Sequence, residues 1–346
     1  MNIYNNELYL QDIKDVCNLN LPWEKIEGKS FFITGATGLL GSFLVDVLVE
    51  KGCVVYALGR SAERAKNRFS KIWGKIKFIP YDINNPINFD ENEKVDYVIH
   101  LASNTHPVAY STDPIGTITT NIIGLKNILD FSAEHNVERC VFASSNEIYG
   151  ENRGDVELFD ENYCGYINCN TLRAGYNESK RCGEALCQAY IKQKDLDVVI
   201  SRFTRSYGPT ILDSDTKALS QFMKNGLNGE DIILKSEGNQ YFSYTYIVDA
   251  ISGLLTIILL GEKGEAYNIA DEKSDIRLKD LAKIVADCSN TKVIFDLPNE
   301  TERQGFSKAT KARLDGSKLK DLGWEMKYDM ESGISRTLKI LRENTK

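Results

Sequence analysis

Several things scarce in this chain narrow its function before any motif is considered. Histidine is rare, three in 346 residues, and the eight cysteines contain no C-x-x-C pair, so neither a zinc site nor a disulfide framework is expected. Several cysteines fall in strand-like or helix-like runs, as buried thiols do. Basic residues are outnumbered, 42 to 49, giving a net charge of -7 and a pI near 5.3. That balance argues against a nucleic-acid or anionic-membrane protein, although an anionic substrate needs only a local positive pocket. The longest apolar run, Ile251 to Leu260, is too short to cross a bilayer. No basic start is followed by an apolar core, so no signal peptide is expected and a reducing cytoplasm fits best. No internal repeat or low-complexity tract is seen.

What is present is organised around T-G-A-T-G-L-L-G, Thr34 to Gly41. An apolar run, Phe31-Phe32-Ile33, leads in, and the periodic Phe43-Leu44-Val47-Leu48 leads out, which reads as strand, glycine turn, helix. Gly35 allows the tight turn, Gly38 the close approach of a pyrophosphate, and Gly41 the packing of helix on strand. The helix N-terminus offers amides and a positive dipole end to phosphate. Gly35, Thr37, Gly38, Leu39, Leu40 and Gly41 are therefore the expected dinucleotide contacts.

Around this turn the chain alternates. Strands are expected near 31–34, 53–58, 76–80, 96–101, 139–144 and 197–203, with helices at 41–51, 61–72, 115–135 and 174–193. That alternation implies an α/β fold, a Rossmann-type doubly wound parallel sheet. After Tyr207-Gly208-Pro209 the pattern changes. Helical stretches near 215–228, 278–288 and 329–342 mix with strand-like pieces at 231–235, 265–269 and 292–295. The expected organisation is an N-terminal extension over 1–27 and a dinucleotide-binding domain over 28–205, with returning segments from about 241–270. Residues 206–346 would be mainly a smaller α/β substrate lobe.

At the end of the second strand, a domain preferring NAD usually places an acid on the ribose hydroxyls. Here the run ends Leu58-Gly59-Arg60, with no acid. Gly59 leaves room and Arg60 can meet a 2′-phosphate, which favours NADP over NAD; a solvated loop arginine is the alternative. Asp82 and Ile83, after the third strand, are candidate adenine contacts. Leu101 and Ala102, after the fourth, are candidate contacts to the same cofactor.

Tyr176 and Lys180 stand four apart in Y-N-E-S-K, on one face of an expected helix. A tyrosine near its ordinary pKa of about 10 is a poor base. A nearby ammonium and an oxidised nicotinamide ring would lower that value and let Tyr176 take the proton of a substrate hydroxyl as hydride leaves carbon. The fifth strand ends in S-S-N-E-I-Y-G, placing Ser145 where active sites of open α/β sheets lie.

With these residues in place, the chain resembles the extended short-chain dehydrogenase/reductases that act as nucleotide-sugar epimerases, dehydratases and decarboxylases. The resemblance runs from Gly28 to Leu341 and is closest to the UDP-glucuronate decarboxylase branch. It is carried by H-L-A-S-N-T-H-P-V-A-Y (100–110), P-I-G-T-I-T-T-N-I-I-G (114–124), R-A-G-Y-N-E-S-K-R (173–181) and L-G-W (322–324). It implies a tightly held dinucleotide, oxidation of a sugar carbon, usually C4, and Ser145, Tyr176 and Lys180 as the catalytic triad. Asn121 matches a structural asparagine of the central helix. Glu147 matches a position that is Glu in dehydratases and decarboxylases, where a carboxylate can remove the C5 proton of a 4-keto sugar. Asn104, His106, Asn146 and Arg173 are expected to line the sugar pocket, and Lys308, Lys311 and Arg313 to lie near the nucleotide diphosphate.

Two departures stand out. The resemblance calls for Q-x-R-x-F-x-Y, but this chain has Phe242 in place of the arginine, which puts decarboxylation in doubt. It also calls for R-x-x-N-x-Y-G-P, but here Arg205 replaces the asparagine; the charge has moved there, or Arg205 pairs with a nearby carboxylate. The sequence thus leaves epimerase and dehydratase open, with decarboxylase third. A non-catalytic dinucleotide sensor is the alternative of another class, weakened because both Tyr176 and Lys180 are kept. A homodimer is expected through helices 115–135 and 174–193.

Overall fold

Central strands of the chain have apolar residues on both faces because both faces are covered. The computed structural model describes residues 3–90, 93–105, 107–297 and 311–345. In chain order its strands are β1 (Ser30–Thr34), β2 (Val54–Gly59), β3 (Ile76–Pro80), β4 (Tyr97–His100), β5 (Arg139–Ser145), β6 (Val198–Phe203), β7 (Arg205–Tyr207), β8 (Ile232–Leu234), β9 (Tyr241–Tyr246), β10 (Ala266–Ile269), β11 (Asp275–Arg277), β12 (Val293–Phe295) and β13 (Lys311–Ala312). Seven of these form one sheet in the order β10-β6-β5-β4-β1-β2-β3, every pair parallel. Every residue of β1, β4 and β6 is buried, as expected for strands sandwiched between helices. The strand order reverses between β1 and β4, and a crevice opens there at the carboxyl ends of the strands. The doubly wound sheet expected from the alternation is therefore present.

The covering helices are α1 (Glu7–Cys17), α2 (Leu39–Glu50), α3 (Ala62–Arg68), α4 (Pro107–Thr112), α5 (Pro114–Thr119), α6 (Leu125–Glu134), α7 (Ala174–Lys194), α8 (Ala218–Asn228), α9 (Ile247–Leu260), α10 (Leu278–Ser289), α11 (Ser317–Lys320) and α12 (Met330–Thr345). The helix expected over 115–135 is present, with a π-helical turn, Thr120–Gly124, between its α-helical parts α5 and α6. A side chain at Gly124 would meet Ile83 at 2.7 Å, so the wide turn lies where another loop presses on the helix. The run Ile251 to Leu260 belongs to α9, whose residues are buried on every face. A helix apolar all round has no stripe for a periodicity argument to find. No helix among the described residues is long and apolar enough to cross a membrane.

Beyond β6, a second sheet runs β11-β9-β13 with β7 paired to β9, while β12 and β8 form a two-stranded parallel ribbon. Strand β10 returns to the main sheet beside β6. Helix α1 packs on α2, α9 and α12. Its Tyr9 hydroxyl donates to Asp46 on α2, and Asp12 accepts from Arg336 on α12 and from the Tyr246 hydroxyl. Helix α1 thus ties the glycine-turn helix α2 to α12 and to the end of β9.

Candidate active site

The glycine turn occupies the crevice between β1 and β4. Gly35 has φ +68°, and a Cβ there would lie 2.8 Å from the Ala102 nitrogen and 2.9 Å from the Leu101 carbonyl carbon. A Cβ at Gly41 would lie 2.3 Å from the Gly35 oxygen, so helix α2 can approach the turn only with glycine there. Gly38 differs. Its Cβ would meet only the Gly35 oxygen, at 3.2 Å, and no side chain caps α2 at this position. The leading amides of α2 thus face a cradle that the protein itself does not fill, which fits a pyrophosphate. Thr37 and the half-buried Leu39 and Leu40 line that end, and the Leu39 carbonyl accepts from Thr210 Oγ1 at 2.8 Å.

Arg60 is exposed just past β2 and makes no hydrogen bond or ion pair among the described residues. Next to it, Gly59 would carry a Cβ at an unstrained 3.5 Å from Thr37 Oγ1. Asp82 turns onto its own loop, accepting from the Asn84 backbone amide and Nδ2 at 3.0 Å each. Ile83 is buried against Gly124, and its carbonyl accepts from Asn127 at 2.8 Å. Ala102 donates its amide to Thr34 Oγ1 at 3.2 Å.

Ser145, Tyr176 and Lys180 converge at the carboxyl end of β5, all buried. Lys180 Nζ donates to the Ala143 carbonyl at 2.7 Å and lies 5.9 Å from the Tyr176 ring centre. Burial pushes Tyr176 up to about 12, against hydrogen bonding to Ser145 and Ser103 and the charge of Arg173. Burial also brings Lys180 down to about 7. Burial thus holds the phenol up in the protein alone, whereas the expected lowering invokes an oxidised nicotinamide ring as well as the ammonium.

The Ser145 hydroxyl also accepts the Glu147 amide at 3.2 Å and donates weakly to Asn146 Oδ1 at 3.4 Å. Glu147 lies in a short turn, Asn146–Tyr149, beside the triad. Arg173 reaches both its oxygens at 3.3 Å, Asn177 Nδ2 donates to it at 3.3 Å, and Arg205 stands 3.8 Å away. The Arg205 guanidinium lies over the Phe242 ring, 3.7 Å from its centre. Arg205 thus stands against Phe242, which takes the place of the expected arginine, and also faces a carboxylate.

Asn104 is half-buried in the loop after β4, while His106 and Lys308 lie outside the described residues. Lys311 is exposed on β13. Arg313 is engaged away from Glu147: it bonds Glu157 at 2.5 Å, faces Asp275 at 3.7 Å, and lies over Tyr241. The structure adds residues that pattern reading passed over. Tyr110 stacks on Tyr176 with ring centres 4.9 Å apart, and Ser103 and Asn177 touch the site directly. Tyr110 closes one of the quoted motifs, and Asn177 adjoins Tyr176, so proximity in sequence was the available signal. Asn121, at the π-helical turn, accepts from Ser103 at 2.7 Å and donates to Ser179 at 2.9 Å. Among the described residues no group of histidines, cysteines and carboxylates is arranged to hold a metal.

A model of the NAD dependent epimerase/dehydratase family matches residues 31–270. UDP-glucuronic acid decarboxylase 5 of Arabidopsis thaliana is 30% identical over 309 residues, covering 87% of this chain and 86% of the relative. Among solved structures, a UDP-glucose 4-epimerase of Thermotoga maritima with UDP-glucose superposes with TM-score 0.79 at 23% identity, covering 92% of this chain and all of that one. A UDP-glucuronic acid 4-epimerase of Bacillus cereus in complex with UDP-glucuronic acid and NAD gives 0.78 at 20% identity, covering 91% and 99%. At those identities the structural likenesses bear on fold alone.

Proposed function

The chain belongs to the NAD dependent epimerase/dehydratase family, and on that premise we propose that it oxidises a nucleotide-diphospho-sugar at C4. The 4-keto sugar is then either inverted or dehydrated. The observation that carries this reading is the convergence of Ser145, Tyr176 and Lys180 beside the glycine-turn crevice. A nicotinamide dinucleotide, when bound, supplies reversible hydride acceptance. Its diphosphate would lie against Gly38 and the amides of Leu39 and Leu40, and Arg60 supports NADP as the form used.

Ser145 and Tyr176 hold the reacting hydroxyl, and Tyr176 takes its proton. With burial holding the phenol protonated, proton removal needs positive charge at the ring, which Lys180, 5.9 Å from its centre, and an oxidised nicotinamide when bound would supply together. Glu147 is the candidate base for the C5 proton, aimed by Arg173 and Asn177. Loss of CO₂ is a second reading, favoured by the curated relative's chemistry and opposed by Phe242.

For the assembly we propose a homodimer through α5, α6 and α7. Exposed Ile118 and Leu172 line an apolar groove of about 680 Å³ between α5 and the start of α7, and Ile115 and Ile123 are exposed on the same helical stretch. Light scattering of the purified protein tests it, and a monomer at micromolar concentration refutes it.

The reaction is tested by incubating the holoenzyme with a panel of nucleotide-sugars and following products by NMR. An inverted stereocentre, a lost water or lost CO₂ separates the chemistries. Tyr176→Phe is expected to abolish turnover while dinucleotide binding survives; wild-type turnover by that variant refutes the role given to Tyr176.

A further inference from the structure

Around Glu147 the charges do not balance. Two guanidinium groups, Arg173 and Arg205, converge on this one carboxylate, with contacts of 3.3 Å and 3.8 Å. Asp215, another carboxylate whose charge reaches Tyr110, faces its own cation, Lys217, at 3.7 Å. Arg205 is the less committed of the two arginines. One nitrogen, Nη2, faces Glu147 at a distance too long for a hydrogen bond, and the other, Nη1, is buried with no hydrogen-bond partner.

An unpaired guanidinium N–H inside a protein is costly, and native structures rarely tolerate one without a ligand or water to receive it. The group is held in place nonetheless. Its plane rests on Phe242, itself buried on β9, and its own strand β7 is pinned to β9 by the Arg205↔Tyr244 register. Phe242 cannot accept a hydrogen bond from the edge of the guanidinium; it fixes the plane and leaves the fork available. A planar fork beside a partly satisfied carboxylate matches a second planar anion.

Resting on the nucleotide-sugar reading above, we propose that Arg205, laid on Phe242, is the residue by which this site reads a negatively charged group on the reacting sugar. The substrate class is a nucleotide-diphospho-sugar with a carboxylate on the ring, such as a hexuronate. A carboxylate at C6 leaves no C6 hydroxyl to expel, so within the proposed chemistry this substrate class removes 4,6-dehydration and keeps inversion and loss of CO₂. Arg173, more exposed and already on both oxygens of Glu147, holds that carboxylate in position while Arg205 receives the substrate.

The test is equilibrium binding to the dinucleotide-loaded protein of UDP-glucuronate, UDP-glucose and UDP, and of the corresponding thymidine compounds. The two sugars differ only in carboxylate against hydroxymethyl. The acidic sugar is expected to bind about ten- to a hundredfold tighter than the neutral one, the span of a charged hydrogen-bonded contact. Arg205→Gln is expected to bring the two within about twofold while UDP keeps its affinity, and Arg205→Lys to retain part of the preference. Equal binding of both sugars by the wild-type protein overturns the inference and leaves the nucleotide-sugar reading standing. Equal losses for UDP and both sugars in Arg205→Gln overturn it by moving Arg205 to the diphosphate. If neither nucleotide nor sugar binds, the nucleotide-sugar reading fails and this inference falls with it.

Discussion

His100, the last residue of β4, shows how one side chain couples the site to pH. It is fully buried, its Nδ1 is 2.8 Å from Thr34 Oγ1, and its Nε2 has no partner. Burial, aided by the charge of Lys180, brings it down to about 3. The unfolded chain therefore binds a proton that the folded chain refuses between about pH 6.5 and 3, and stability falls as pH is lowered through that window. Relative to His100→Gln, the wild-type protein should lose about 2 kcal/mol of unfolding free energy between pH 7.5 and pH 5. Urea titrations at the two values measure the difference, and a constant gap refutes the assignment. Glu147 allows a second test. Glu147→Gln should stop deuterium entering C5 from heavy water while oxidation at C4 continues, read by mass spectrometry of the recovered sugar. Deuterium still entering at the wild-type rate would remove Glu147 as the base.

At the scale of elements, the glycine turn is the most exacting piece. Gly41→Ala would place a methyl 2.3 Å from the Gly35 oxygen, with backbone on both sides and no flexible side chain to give way. The expected result is loss of dinucleotide binding by at least tenfold, measured by fluorescence titration, with far-UV circular dichroism reporting whether the sheet survives. Asn121→Ala should cost about 1–3 kcal/mol, because Ser103 and Ser179 each lose a buried partner. What the sequence made legible follows from these local demands. The strands β1 to β6 and the turn between β1 and α2 are written in short apolar runs punctuated by glycine, and that code is local. The π-helical turn is not, since it answers to Ile83, which arrives from a different loop. Helix α9 was hidden by its own burial. Tyr110 and Tyr176 meet by stacking across two helices, and no spacing rule connects them. The position of Arg205 over Phe242 depends on a pairing of β7 with β9 that neither segment announces alone.

For the molecule as a whole, the first helix acts as a clasp. Asp12 on α1 is fully buried and is the partner of both Arg336 and Tyr246. Asp12→Ala should destabilise the protein by about 3–5 kcal/mol, the range seen when one member of a buried ion pair is removed. Thermal unfolding followed by circular dichroism checks it, and a loss under about 1 kcal/mol would show the clasp to be superficial.

The same clasp carries a consequence for how the protein is made. Asp12 leaves the ribosome 324 residues ahead of Arg336, while Tyr9 of the same helix already has Asp46 nearby in the chain. During synthesis α1 can settle on α2 early, with Asp12 open to solvent until α9 and α12 arrive to cover it. Translation thus delivers the nucleotide fold ahead of its fastening, and the nascent chain stays unlatched until α12 emerges.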